Sequence, residues 1–324
     1  MPETPQHDRI LLAVSGGVDS MYLLHRAPEL FRGKAFAVAH CNFSLRGEES
    51  DGDELLVRQS CTEAGITLHV KRFDTLAYAG SKGISIEMAA RELRYGWFGE
   101  LCREYGYGCV ATAHNANDNA ETLLLNLLRG TGSRGLRGIP REGVLTYGDC
   151  EVRTVRPLLD LSRKEIEAWM RENGHSWRND STNSSDEYKR NKIRNRVFPV
   201  FAEINPSFIR TLSEDIGRFG EAEAIADEYF KAAREQICSI SDDCVSIDVP
   251  ALLSYEHWRF ILWRLLEGAS FSAGTFEKLC ALLMRYRTEP SGTVTLSGKT
   301  FESPTHLLTA KKRRLLLTAV YKTN

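Results

Sequence analysis

The sequence predicts an α/β protein: a doubly wound, mostly parallel sheet, then a linker helix and a smaller α+β domain. Three observations carry that prediction. Apolar, strand-like runs at residues 9–14, 35–40, 66–73 and 108–113 alternate with helical stretches near 20–31, 49–64, 85–105 and 117–128. That rhythm is what βαβ units produce. Polar clusters follow the first, second and fourth strands, and open parallel sheets bind ligands beyond the carboxyl ends of their strands. From residue 206 to 238 one long helical segment runs and the alternation stops.

Each element has its own justification. The first strand is an apolar run that enters the turn SGGVDS, after which a helix-like apolar run leaves. The second strand leads into HCNFSLRGEES, where Glu48, Glu49 and Asp51 suit a helix N-terminus. The fourth strand leads into AHNANDNAET, a polar helix start. Ser162 and Glu165 make a capping box ahead of EIEAWM. A polar loop, RNDSTNSSDEY, and a basic run, KRNKIRNR, come next. The tail holds a short strand at 245–249, helices near 255–267 and 275–287, and strand-like pieces to the end. The expected boundary therefore separates residues 1–205 from 206–324.

A chain of 324 residues, 42% hydrophobic and 26% charged, has enough apolar side chains for a sizeable core and favours two domains. Its net charge of −1 gives no global cationic field, so a nucleic-acid surface must be a local patch. No apolar run approaches the roughly 18 residues a membrane span needs, and MPETPQHDR has no apolar signal core. The expectation is a cytoplasmic protein. Cys41, Cys61, Cys102, Cys109, Cys150, Cys238, Cys244 and Cys280 form no CxxC pair. They read as small core residues rather than a zinc, iron–sulfur or disulfide framework.

SGGVDS, residues 15–20, carries the first chemical signal. Glycines let backbone amides approach a ligand, and a helix N-terminus favours negative charge, so a phosphate cradle is expected. Asp19 suits a magnesium ion bridging phosphates, and the Ser15 and Ser20 hydroxyls suit phosphate oxygens. A ligand-free strand–helix turn is the plain alternative. SGKT at 297–300 is a decoy: the P-loop pattern needs a glycine where Thr293 stands.

Four other stretches converge on the same rim. In 40–50, His40 reads equally as an adenine contact or as part of an exposed loop, and Arg46 suits phosphate or RNA. In EMAARELRY, Glu87, Arg91, Arg94 and Tyr95 share a helix face, as an ion-pair stripe or a polyphosphate clamp. Asp118 and Glu121 lie three apart in a first helical turn, pointing the same way towards a cation, or serving only the helix dipole. RGTG, 129–132, offers a flexible turn with an arginine. KRNKIRNR holds five basic residues in eight, and the chain from Lys299 onward has six Lys or Arg against one acid. Both suit RNA phosphates, with a solvated surface as the plain reading.

SGGVDS after a strand resembles the PP-loop of N-type ATP pyrophosphatases, which split ATP between its α- and β-phosphates. The ordered set of SGGVDS, a His-x-N-x-x-LRGEES loop, an ExxxRxxRY helix, TAHxxxDxxET, RGTG, RPLL, RND-STN and RNKIRNRVFP is similar to the tRNA(Ile)-lysidine synthetase family through nearly all of 9–200. The tail is only loosely similar. The resemblance implies that residues 1–205 are a PP-loop catalytic domain and 206–324 a linker helix and tRNA-binding domain. It implies catalytic roles for Asp19, Arg94, Asp118 and Glu121. ATP contacts fall on Ala13, Ser15, Gly16, Gly17, Val18, Asp19, Ser20, His40, Arg91, Arg129 and Gly130. tRNA contacts fall on Arg46, Lys189, Arg190, Lys192, Arg194 and Arg196, and Mg2+ on Asp19. The family's HHxDDxxET pattern is broken by Asn115, for a histidine, and Asn117, for an aspartate.

The implied reaction joins lysine to the wobble cytidine of tRNA(Ile) with a CAU anticodon. The oxygen on cytosine carbon 2 attacks the ATP α-phosphate and pyrophosphate leaves; lysine's amine then attacks carbon 2 and expels AMP. Such phosphoryl transfer rests on positioning and charge neutralisation. ATP and lysine are the implied substrates, and a homodimer is compatible with the sequence. A tRNA-thiolating PP-loop enzyme is one rival, which the lack of CxxC pairs disfavours. A non-catalytic nucleotide-binding RNA adaptor is another, disfavoured by Asp19, Asp118 and Glu121.

Overall fold

The computed structural model describes residues 9–148, 150–178, 189–241, 244–289 and 295–320. The chain divides into two compact units, Met1–Gly220 and Glu221–Asn324.

The first unit runs β1 (Arg9–Ala13), α1 (Val18–Leu30), β2 (Ala35–Asn42), α2 (Glu48–Glu63), β3 (Leu68–Arg72), α3 (Thr75–Lys82), α4 (Ile86–Tyr105), β4 (Cys109–Ala111) and α5 (Ala116–Arg129). It continues through α6 (Ser133–Leu136), β5 (Glu142–Tyr147), β6 (Cys150–Val155), α7 (Arg163–Glu172), α8 (Lys189–Lys192), a π-helical turn (Ile193–Val197) and α9 (Phe198–Ile204). Its sheet has the order β3-β2-β1-β4-β6-β5. All neighbours are parallel except the edge pair β5 and β6.

β1 sits at the centre, and its apolar run is what that place demands. Ile10 and Leu12 face one core with Leu23, Leu24 and Ile166. Leu11 faces the other with Phe98, Leu101 and Val110. The period of two along the strand sends alternate side chains to opposite layers. Burying each such leucine is worth about 1.5–3 kcal/mol. The Ser162 capping box forms: its hydroxyl accepts from Glu165 N at 3.2 Å, and the Glu165 carboxylate accepts from Ser162 N at 2.7 Å. The β5–β6 hairpin and α3 lie outside the strand–helix rhythm read from the sequence.

α10 (Phe208–Ile237) leads into the second unit. There follow β7 (Cys238–Ser241), β8 (Cys244–Asp248), α11 (Val249–Ser254), α12 (Trp258–Leu266), α13 (Ala273–Thr288), β9 (Thr300–Glu302), β10 (His306–Lys311) and β11 (Arg314–Ala319). The five strands form an antiparallel sheet, β7-β8-β11-β10-β9. Ile247, Leu308 and Leu315 pack with Trp258, Leu262 and Leu283 in one core. Arg264 is buried and paired with Glu223 and Asp227. SGKT is a turn entering β9, with Gly298 at φ +83° and its N–H donating to Ala310 O at 3.0 Å; no helix follows it. All eight cysteines are free thiols. Among the described residues no helix is long and apolar enough to cross a membrane.

Candidate active site

The SGGVDS turn is built against α2. Gly16 has φ +98°, and a Cβ there would lie 3.2 Å from Asp53 Cβ, so both the conformation and the space require glycine. The Ser20 hydroxyl accepts from Ser15 N at 3.1 Å and Gly16 N at 3.2 Å, and donates to Gly17 O at 2.9 Å. Those two amides therefore bond to Ser20 instead of pointing into open space, and the Ser20 proton shapes the turn. Ser15 Oγ lies 3.1 Å from Ser20 Oγ. Val18 is buried as the first residue of α1. α1 starts from Gly17 with no side-chain cap, which leaves its N-terminal amides for a ligand.

Beyond the loop opens a cleft of about 320 Å³. Ala13, Ala39, Cys41, Phe43 and Phe98 form its apolar wall, and Ser15, Asp19, Arg94, His114, Asp118 and Arg190 its polar rim. Strand alternation decides who faces it. Cys41 turns inward, so His40 turns to the opposite face. There His40 Nδ1 lies 2.9 Å from Val14 O, its Nε2 is buried without a partner, and burial holds its pKa below the ordinary value. The His40 side chain, expected at an adenine, thus points away from the cleft, while its neighbours Ala39 and Cys41 line it.

Carboxylates also line the cleft. Asp19 Oδ1 accepts from Asn115 Nδ2 at 2.9 Å, and Oδ2 pairs with Arg163 Nη1 at 2.5 Å. Burial raises the Asp19 pKa, the Arg163 guanidinium opposes that, and neighbouring Asp118 adds to it. Asn115 caps α5, accepting from Asn117 N at 2.9 Å and Asp118 N at 3.1 Å. Asn117 Oδ1 accepts from Arg163 N at 3.0 Å. Both asparagines that break the family pattern thus connect to the Asp19–Arg163 pair.

Glu121 stands behind Asp118, fully buried, with Arg194 Nε on its Oε1 at 2.8 Å and Oε2 unpartnered. Burial raises the Glu121 pKa against the opposing pull of Arg194. Arg194 Nη2 is also 3.5 Å from Asp118. Arg194, expected at an RNA phosphate, is engaged by these carboxylates. Asp19, Asp118 and Glu121 thus gather here with Arg163 and Arg194, and Arg190 acts on Glu121 as well.

Arg94 and Arg190 line the cleft too, beside His114, whose pKa burial lowers to about 4, with Asp118 opposing and Arg156, Arg190 and Arg94 reinforcing the shift; Arg190 also lies 3.5 Å from Thr122 Oγ1 and acts on Glu121. Arg91 lies off the cleft, 5.1 Å from the Tyr95 ring and 5.9 Å from that of Tyr147. Arg129 and Gly130, at the C-terminal end of α5, are not among the residues that line the cleft. Arg46 is paired with Asp53 at 2.8 Å and Glu49 at 3.6 Å. Lys192 and Arg196 are exposed, while the side chain of Lys189 lies outside the described residues.

Sequence reasoning missed Arg163, His114 as a cleft residue, and Arg178. The last donates its N–H to Gly16 O at 3.0 Å and its Nε to Asp53 at 3.0 Å, bracing the glycine turn from behind. Arg163 sits just inside a capping box, a signal that marks a helix start but not its reach to Asp19, 144 positions earlier.

Two family models match the chain: a PP-loop domain over residues 1–201 and a TilS substrate binding domain over 240–320. A tRNA(Ile)-lysidine synthase of Parabacteroides distasonis is 40% identical over 97% of this chain and 66% of its own length. Those of Bacteroides thetaiotaomicron and Chlorobaculum tepidum are 42% and 50% identical, over 84% and 66% of this chain. The chain spans 61% and 64% of their respective lengths, so under two thirds of each of the three. Among solved structures, the U34-tRNA thiolase NcsA of Methanococcus maripaludis superposes with a TM-score of 0.53 at 16% identity, covering 66% of this chain and 72% of that one, a likeness of fold.

Proposed function

The chain belongs to the PP-loop family, and from that premise we propose that it is a tRNA(Ile)-lysidine synthase, joining lysine to the wobble cytidine of a CAU-anticodon tRNA at the expense of ATP. A cleft that joins phosphate donors to carboxylates carries the reading. A triphosphate needs the uncapped α1 N-terminus and Arg94; an incoming amine needs carboxylates, here Asp19 and Asp118 with Glu121 behind. Relatives of that name at 40–50% identity support it. So does the TilS substrate binding match over 240–320, in which this reading places tRNA contacts, with the catalytic machinery within 1–205. Cytoplasm is the compartment where its tRNA and ATP meet.

The roles follow from placement. The adenine packs against Ala39, Cys41 and Phe43, and the phosphates meet the amides after Gly17 and the Arg94 guanidinium. Asp118, on the cleft, binds the lysine ammonium. Glu121 holds Arg194 against it, and the carboxylate pair takes up the proton as the amine attacks carbon 2. Asp19 and Asp118 are hard oxygen donors facing one space, which fits Mg2+. Magnesium, when bound, supplies charge neutralisation on the phosphates. Arg163 already holds Asp19 Oδ2, so guanidinium and metal compete for that oxygen.

Incubation with labelled lysine, ATP and bulk bacterial tRNA tests the proposal. Label on one isoleucine tRNA with a CAU anticodon is expected. Label on no tRNA, with ATP turned over, contradicts it.

A further inference from the structure

We propose that Arg178, seated on Gly52 and Asp53 of α2, is a positioning residue for the ATP loop: it sets the Gly16–Gly17 peptide so that Gly17 N–H faces the phosphates. The inference rests on the ATP-binding reading of SGGVDS above.

The peptide carries the first observation. Arg178 N donates to Gly16 O at 3.0 Å. A trans peptide sends its carbonyl and its N–H opposite ways. Holding Gly16 O on the Arg178 side therefore turns Gly17 N–H away from Arg178. Gly17 lines the cleft, and Arg178 does not. Ser20 takes the Ser15 and Gly16 amides, whereas Gly17 N–H meets no protein acceptor among the described residues. It is left for a phosphate oxygen.

The Arg178 side chain fixes that backbone. Its Nε donates to Asp53 Oδ1 at 3.0 Å, and Arg46 Nη2 holds Oδ2 at 2.8 Å, so both oxygens of a buried carboxylate are taken. Asp53 Cβ also limits Gly16 directly, so α2 touches the loop both by itself and through Arg178. Gly52 is the independent sign. It lies inside α2, where glycine weakens a helix, and its φ is not left-handed, so backbone conformation does not call for glycine. Space does: a Cβ there would lie 2.7 Å from Arg178 Cζ and 2.9 Å from Nη2. The helix gives up stability to leave room for this guanidinium.

Gly52→Ala and Arg178→Ala test the seat. The first pushes a flexible guanidinium off α2 while improving the helix; the second removes it. Each is measured for ATP affinity by direct binding, pyrophosphate release at saturating ATP with tRNA, tRNA affinity and thermal unfolding. ATP affinity is expected to fall about fivefold to tenfold, for one misaligned hydrogen bond to a charged group, and release about tenfold to a hundredfold. tRNA affinity should hold within about twofold, and Gly52→Ala should unfold no earlier than wild type. Arg178→Lys, which keeps a cation for Asp53, should recover part of both losses. Wild-type ATP affinity and release in both alanine variants would overturn the proposal; if Arg178→Ala failed to fold, Gly52→Ala alone would decide. Lost tRNA affinity with ATP affinity unchanged would assign Arg178 to the RNA and overturn it too. Lost ATP affinity with earlier unfolding of Gly52→Ala would make the seat a structural brace and overturn the positioning role. Wild-type protein that binds ATP but releases no pyrophosphate with any tRNA would overturn the reaction, and ATP affinity would then judge the seat.

Discussion

Asp19 holds two partners and, in the proposed reaction, must exchange one of them. Asn115 and Arg163 take its two oxygens, while burial raises its pKa. A magnesium ligand must be ionised, so Asp19→Ala is expected to abolish pyrophosphate release while unfolding stays cooperative. A folded Asp19→Ala protein with full turnover would remove the loop from the chemistry. Glu121→Gln keeps shape and loses charge. Lysine KM should rise and lysidine formation fall roughly a hundredfold, the scale of a lost general base, with ATP and tRNA still bound. Arg194→Ala leaves Glu121 buried and unpaired, so about 3–5 kcal/mol of stability should be lost, with the salt dependence of tRNA binding unmoved. A lowered salt slope at unchanged stability would return Arg194 to the RNA. At this scale the motif residues Asp19 and Asp118 were legible because their spacing is local. His40 was misplaced because the parity of a strand shows only once its neighbours are known, and Arg163 was invisible because only tertiary folding brings it to Asp19.

The clamp between α1 and the chain after α7 gives the elements a pH dependence. His25 and His175 stack at 3.7 Å, with Trp169 5.3 Å from His175. Burial, reinforced by His175, lowers the His25 pKa from 6.5 to about 4. The unfolded chain then binds a proton that the folded chain refuses. Stability is fully present above pH 6.5 and declines as pH falls towards 4. His114, also lowered to about 4, adds in the same direction. Replacing His25 with Phe should flatten the decline between those values in a denaturant series, and an unchanged slope would place the titration elsewhere. Lys192, exposed beside the π-helical turn, tests another element: Lys192→Ala should raise the tRNA KM and reduce the salt slope by about one, with ATP affinity unmoved. The main parallel strands and the Ser162 cap were readable because hydrophobic period and capping chemistry are local. The β5–β6 edge hairpin was not, since β5 alternates exposed with part-buried residues and neither short strand carries a long apolar run.

Across the whole chain, a net charge of −1 conceals a cleft lined by both carboxylates and guanidinia. The strand order made that cleft foreseeable, because three polar loops leave neighbouring strands at the same edge. The gathering of charge within it was not, since composition averages it away. In the proposed reaction the α1 N-terminus and Arg94 handle ATP, and the carboxylates admit the amine afterwards. ATP labelled at its α-phosphate, incubated with tRNA(Ile) and no lysine, tests this most directly. Label is expected to pass to the tRNA, and added lysine to release it as AMP. Label that never reaches the tRNA, or that stays on it when lysine is added, would contradict the proposed order of steps.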